Sequence, residues 1–472
     1  MTKNLINSLF ICSVIIAPSF VFAESNTGVS TESNLTSFLT TTTSNLKTKL
    51  LSPNKDSLLQ GDFGFTANGL VKDVGDVVGN KHHGSLNIKY QSYSDTGVYK
   101  GLEIATKVND EEVLQYSIKE ALIEFKYSTS RLAMGRTNLN WSHADEIWSL
   151  GKVNNRMNFD YFEPDQEGLI GLFYDKKFSN GISLSAFGSF LYVPEMSQGL
   201  VIDKDAGSVV CKTPWCEAPS PSAEIEGRNV PIYYDVEYPE VSDVVLRQSL
   251  GLNLGYEINK YVRLSGFYLR KPENEISVTA EVSAEADLSK ITAVVTPQFY
   301  YHDVKGGNIE ITVSDELKLY GSAISTAPNK FPDSKEPFIE YTGIKPKKKA
   351  EDYLSGGLLY NNGDIKGHAG YIARVSDFDT ENDILVNYPR WNQAVHLAVS
   401  KNLSRKIFVA LDYKYDMLTE DRLTMFKTSY SYGPSIVATI GVNMIGSSDS
   451  KDSFWSKYEN NDSVFSSLKY TF

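Results

Sequence analysis

After its first 23 residues this chain of 472 contains no apolar run near the roughly 18 residues that a spanning helix needs, which excludes a transmembrane helix. Heptads and helical repeats are also missing. Basic charge is in deficit, 46 Lys and Arg against 58 Asp and Glu, and the net charge of -12 argues against a nucleic-acid partner. Histidine is scarce. His82, His83, His143, His302, His368 and His396 form no recognisable Ser/His/acid arrangement, the nearest approach being His143 with Asp145, so a hydrolase or protease is not expected. Adjacent His82 and His83 would point to opposite strand faces, and neither a metal site nor a cofactor is predicted. Cysteine is rarer still, three in all. Cys12 falls in a leader-like segment, leaving Cys211 and Cys216 close together in one loop. In an exported chain an oxidising compartment favours a disulfide between them over two free thiols.

What the chain does have begins with that leader. Lys3 precedes an apolar stretch, Leu9 to Ala17, and Val21-Phe22-Ala23 reads as a small-residue cleavage site. Residues 1–23 are therefore expected to be a cleaved signal peptide, with Glu24 opening the mature protein. Residues 24–60 are Ser/Thr-rich and carry Leu35, Phe38, Leu39, Leu46, Leu50 and Leu51 at spacings compatible with short amphipathic helices. They are expected to form a periplasmic lead-in to a barrel over 61–472. The segment is too short for the plug domain of an energy-coupled transporter, which favours passive passage.

Tyrosine (28) and phenylalanine (23) are plentiful, as are glycines, as expected of strands with aromatic girdles. Strict alternation recurs along the chain. Over 249–257, Leu250, Leu252, Leu254 and Tyr256 face one way and Ser249, Gly251, Asn253, Gly255 and Glu257 the other. Over 409–416, Val409, Leu411, Tyr413 and Tyr415 oppose Ala410, Asp412, Lys414 and Asp416. A wall with lipid outside and water inside accounts for both, and places Asp412 and Lys414 in the lumen. The final strand puts Val464, Leu468, Tyr470 and Phe472 on one face and Phe465, Ser467, Lys469 and Thr471 on the other, with Lys469 again facing inward. About 20 such segments can be counted, with one hairpin near 275–325 uncertain.

The connections alternate between tight and long. Tyr432-Gly433-Pro434, Asn361-Asn362-Gly363-Asp364, Ile258-Asn259 and Phe178-Ser179-Asn180-Gly181 are tight; 446–461, 375–392, 326–352, 193–243 and 139–166 are long. Short periplasmic turns and longer outer loops produce this rhythm, which implies an even strand number and periplasmic termini. The expectation is an all-β, transmembrane antiparallel barrel of about 18 strands, 16 to 20 being allowed. A soluble β-sandwich is the competing reading.

A last strand ending in Phe, with apolar residues two and four positions earlier, resembles the targeting signature of bacterial outer-membrane barrels. It implies localisation to a Gram-negative outer membrane and recognition of the strand ending at Phe472 by the barrel-assembly machinery. The segments Tyr99 to Leu102, Ile118 to Tyr127 and Arg131 to Arg136 resemble strands of the OprD-like and related outer-membrane porins. That resemblance, over some 40 residues, implies an 18-stranded monomeric barrel passing small water-soluble nutrients, often carboxylates guided by a basic ladder. Here arginine is sparse and the chain acidic, so anion and cation preference both stay open. Lipid-facing and subunit-facing strands carry the same pattern, so a homotrimer stays open too.

In general porins the third outer loop folds inward, and the similar topology implies that role for 139–166. Arg136 precedes a loop containing Asp145, Glu146, Arg156, Asp160, Glu163 and Asp165, and opposed charges across a narrow lumen filter solutes by charge. Arg136, Asp145, Glu146, Arg156, Asp160 and Asp165 are the candidate constriction residues. The competing reading is a surface loop stapled by Trp141 and Trp148 over the mouth. Asp377, Asp379, Glu381 and Asp383 read more simply as a solvated acidic loop than as a cation site. Lys345, Lys347, Lys348 and Lys349 are a charge run able to meet lipopolysaccharide phosphates. The predicted function is an outer-membrane porin for small hydrophilic solutes and ions. The alternative is a non-conducting barrel acting as an adhesin or envelope partner through its long loops.

Overall fold

The computed structural model describes residues 57–70, 82–94, 97–157, 160–195, 199–203, 206–328, 343–344, 350–376, 389–448 and 452–472. The leader, most of the lead-in, the loop 73–81, the Lys345–Lys349 run and the Asp377–Asp383 carboxylates lie outside them. Eighteen strands form one sheet. In chain order they are β1 (Ser57–Leu70), β2 (His82–Tyr93), β3 (Val98–Asn109), β4 (Leu114–Lys126), β5 (Ser130–Thr137) and β6 (Leu169–Lys177). Next come β7 (Ile182–Ser189), β8 (Ser249–Asn259), β9 (Val262–Pro272), β10 (Tyr301–Thr312), β11 (Leu317–Pro328) and β12 (Glu351–Asn361). The circuit ends with β13 (Ile365–Arg374), β14 (Gln393–Asn402), β15 (Ile407–Asp416), β16 (Arg422–Tyr432), β17 (Ile436–Gly446) and β18 (Ser463–Thr471).

Each strand pairs antiparallel with its sequence neighbours, and β18 pairs back onto β1 from Asp62↔Thr471 to Leu70↔Ser463. Gly61 and Phe472 exchange backbone hydrogen bonds at 3.1 and 2.9 Å, so the seam is bonded to the last residue. The closed cylinder excludes the β-sandwich. Among the described residues two further segments of the predicted strand set, Ser277–Ala284 and Ile291–Gln298, do form a hairpin, but outside the barrel wall. They belong to a five-stranded sheet built from three long connections, in which Arg228–Val236 pairs parallel with Ile291–Gln298. β10 accordingly starts at Tyr301, and β1 at Ser57 rather than Gly61.

The pleat sorts the side chains. On β8 Leu250, Leu252 and Leu254 stand on the outer face at 55, 44 and 52% exposure, and Leu319, Leu354, Leu397, Leu411, Ile440 and Leu468 continue the apolar belt around the wall. A wide apolar belt is costly in water and is the surface expected in hydrocarbon.

The inner face divides into two halves. Ala133, Phe173, Phe187, Phe267, Leu269, Val304 and Ile324, pointing inward from β5 to β11, are buried. Across the barrel Asp62, Glu103, Ser400, Asp412, Lys427 and Lys469 present polar groups inward. One half of the interior is a hydrophobic core and the other is a wet wall. Placing a charge in the belt is expected to expose this arrangement: Leu254→Arg should destabilise the folded barrel in lipid vesicles by about 2–4 kcal/mol if it lies near mid-depth, read from urea unfolding. An unchanged midpoint would mean that this face does not meet lipid.

Candidate functional site

The core half is covered by the connection between β5 and β6. Its chain turns inward at Trp141, whose ring sits 6.2 Å from Phe267 and directly over Gly251 on β8. A Cβ at Gly251 would fall 2.7 Å from the indole, so only glycine allows this close approach. A short helix follows, α1 (His143–Trp148), capped by Ser142, whose Oγ accepts from the Asp145 N–H at 3.2 Å. Four hydrogen bonds fix this stretch to the wall. His143 N donates to Asn308 Oδ1 at 3.1 Å, Ala144 N to Ser322 Oγ at 3.2 Å, and Trp148 Nε1 to Ser355 Oγ at 2.8 Å; Asn308 Nδ2 donates to the Trp141 carbonyl at 2.7 Å. These partners lie on β10, β11 and β12. The far end of the connection reaches the opposite wall, where Asp165 Oδ1 meets Lys119 Nζ at 2.7 Å and Asp165 Oδ2 meets Lys107 Nζ at 3.4 Å. The loop therefore spans the lumen from β10–β12 to β3–β4. Trp141 and Trp148 anchor it inside the barrel, not over the mouth.

The six candidate constriction residues divide by environment. Asp145 is 1% exposed and Arg156 2%. Asp145 accepts from the N–H groups of Lys152 (2.6 Å) and Val153 (3.2 Å), and its carbonyl accepts from Arg156 Nη2 at 2.7 Å. Both residues fold the loop on itself instead of facing water. Arg136, 7% exposed, is bonded to Glu167 Oε2 at 2.9 Å and to the Gly168 carbonyl at 2.8 Å, pinning the loop where it re-enters the wall. Glu146 is exposed, and Asp160 and Asp165 are partly exposed. Burial would raise the Asp165 carboxyl, but Lys107 and Lys119 beside it outweigh this and hold it below its ordinary value. Burial lifts Asp160 to about 6 although Lys107 opposes it.

Of the lumen candidates, Asp412 takes His396 Nε2 at 2.9 Å and Lys414 Nζ at 3.3 Å, and Lys469 meets Asp62 at 3.1 Å. A cavity of about 630 Å³ lies along the wet wall, bounded by Asp160, Phe162 and Glu163 of the loop and by β1 and β12 to β18. Lys427 on β16 reaches across to Glu163.

Sequence reading missed the second loop at this site. Cys211 and Cys216 form a disulfide, and the turn that it closes carries Trp215 to the edge of the cavity. Trp215 is buried between Phe162 (5.4 Å between ring centroids), Tyr161 (5.1 Å) and Tyr458 (5.4 Å). Arg390 stacks over Tyr161 with its guanidinium carbon 4.5 Å from the ring centre, and Trp391 joins Trp148 to Trp455. Four connections are thus locked by one aromatic cluster. The signal available was a tryptophan inside a cystine turn, an apolar residue with no strand to belong to.

No known family model and no curated protein matches this chain. Solved structures do. OccAB1 of Acinetobacter baumannii aligns over 88% of this chain and 95% of its own, with 8% identity and a TM-score of 0.45. OpdQ of Pseudomonas aeruginosa aligns over 88% and 96%, with 10% identity and a TM-score of 0.43. OmpF of Salmonella typhi, solved with daunomycin, aligns over 88% and 97%, with 8% identity and a TM-score of 0.42. The chain is similar to these proteins in general fold. At such values the likeness adds nothing to what the closed sheet already establishes.

Two outcomes are expected. Trp141→Ala should cost about 3–5 kcal/mol, as emptying an aromatic core site does, seen as a lower urea midpoint; no shift would mean that the loop is not held by this anchor. Burial raises Glu195 to about 8, and Glu275 pushes the same way. The folded state thus binds this proton more tightly than the unfolded one. Its stabilisation is complete below the ordinary 4.5 and falls as pH rises to about 8. Glu195→Gln should flatten thermal stability across that window; an unchanged pH profile would rule the assignment out.

Proposed function

We propose that this protein is an outer-membrane channel of a Gram-negative bacterium, through which small hydrophilic solutes and ions diffuse passively. The observation that carries the reading is the β5–β6 connection crossing the lumen, which narrows the bore and leaves the cavity of about 630 Å³ beside it. In this reading the short turns and both termini are periplasmic, the long connections face outward toward lipopolysaccharide, and the assembly machinery recognises the strand that ends at Phe472. The apolar belt is compatible with a monomer and with a homotrimer. No catalytic role is assigned.

The constriction is assigned to the members of the candidate set that keep some exposure, Glu146, Asp160 and Asp165, opposed by Lys107 and Lys119. Fixed charges at a narrow point select ions by sign. Asp145, Arg156 and Arg136 hold the shape of the crossing loop. The five-stranded sheet of the long connections favours a second reading, a non-conducting barrel that binds a partner with that sheet.

Planar bilayers separate the two. Ohmic current steps are expected from the purified protein, and silence would favour the partner reading. Asp165→Asn should remove the carboxylate that faces Lys107 and Lys119 and move the reversal potential in a salt gradient toward anion preference. An unmoved reversal potential would remove Asp165 from the constriction.

A further inference from the structure

Many charges on and beside the cavity wall are paired, although Asp160 and Lys366 also line the cavity. Glu163 is paired with Lys427, Asp412 with His396 and Lys414, Asp62 with Lys469, and Lys89 with Glu103 at 3.1 Å. A solute passing between such pairs meets no sustained field of one sign, because opposite charges a few ångströms apart cancel over the distance to mid-channel. Beside these charges the wall offers uncharged hydrogen-bonding groups and rings. Thr66, Ser400, Asn443 and Ser463 line the cavity with hydroxyls and an amide, each able to donate and accept.

The rings lie among them. Phe465 is on the inner face of β18, where a polar residue would be expected, between Ser463 and Ser467. It covers Gly441 of β17: a Cβ there would fall 2.4 Å from the phenyl Cζ. One side of the ring is thus set against bare backbone, and the other borders the cavity. Phe408 lines the same cavity from β15, and Phe162 and Trp215 border it from the loops. An apolar lining with a few placed polar groups, in a volume of about 630 Å³, has the character of a small-molecule site.

Resting on the channel reading, we propose that this cavity is a binding step for neutral polyhydroxylated solutes of mono- to disaccharide size. The C–H faces of such a solute pack on Phe465 while its hydroxyls exchange water for the Asn443, Ser400 and Thr66 groups. A carboxylate or ammonium solute finds most of the wall charges already paired, a poor exchange for its lost hydration. Neutral sugars are therefore retained where ions are not.

The test uses the full protein in planar bilayers, with sucrose and glucose as probes and gluconate and glucosamine as charged analogues. Sucrose should interrupt the ion current saturably, and the charged analogues should do so at least about tenfold more weakly. Phe465→Ala should weaken the sucrose block by up to about tenfold, since an aromatic contact contributes roughly 0.5–1.5 kcal/mol, with the open-channel current intact. Phe465→Trp should restore it. The open current reports that each variant has folded, and Asn443→Leu provides an independent loss of block. Equal block by the charged analogues, or a block indifferent to both Phe465→Ala and Asn443→Leu, would overturn the proposal while leaving the channel standing. Absence of any current from the wild type would instead overturn the channel reading itself.

Discussion

Everything in this molecule depends on the antiparallel pairing of its first barrel strand with its last. A sheet of eighteen strands left open would present two rows of unpaired N–H and C=O groups, each costly where water cannot reach it. The β1–β18 register removes both rows at once. Closure also fixes the inside and outside of every strand, because one pleat runs round the circuit and a slip of one residue at the seam would turn the belt inward.

Given that closure, the interior is shaped by a match between two surfaces. Many inward residues of β5 to β11 are apolar and would be unfavourable against water. The β5–β6 connection supplies their cover, with Leu139, Trp141, Trp148, Val153 and Phe162 buried in a shared core. A loop crossing the lumen is thereby held as firmly as a core element. The buried carboxylate of Asp145 serves the same end, since it satisfies two backbone N–H groups that would otherwise be stranded in a dry loop. The wet half faces the cavity, where the same connection contributes Asp160, Phe162 and Glu163 to the lining.

The barrel was largely legible because its pattern has period two and its face assignments are all or none. Leu250, Leu252 and Leu254 outward, and Asp412 and Lys414 inward, follow from alternation alone. Which sheet a strand joins does not. Ser277–Ala284 and Ile291–Gln298 alternate like barrel strands, and Phe299-Tyr300-Tyr301 runs unbroken from the second into β10, so no local signal marks the departure from the wall. Side-chain environment in the loops was the other blind spot. A carboxylate facing water and one folding a loop look the same in a sequence, although Ser142 three residues before Asp145 is the spacing of a helix cap. The partners of the crossing loop, Lys107, Lys119 and Lys427, come from strands distant in sequence and could be found only once the circuit was closed.

The parallel ladder between Arg228–Val236 and Ile291–Gln298 joins two connections that are otherwise independent excursions from the wall. Within the paired residues, lengthening one partner breaks the register unless a bulge absorbs the extra residue. An insertion within either ladder strand would therefore shift its side chains against the other connection, whereas the turns outside the ladder can change length without disturbing it.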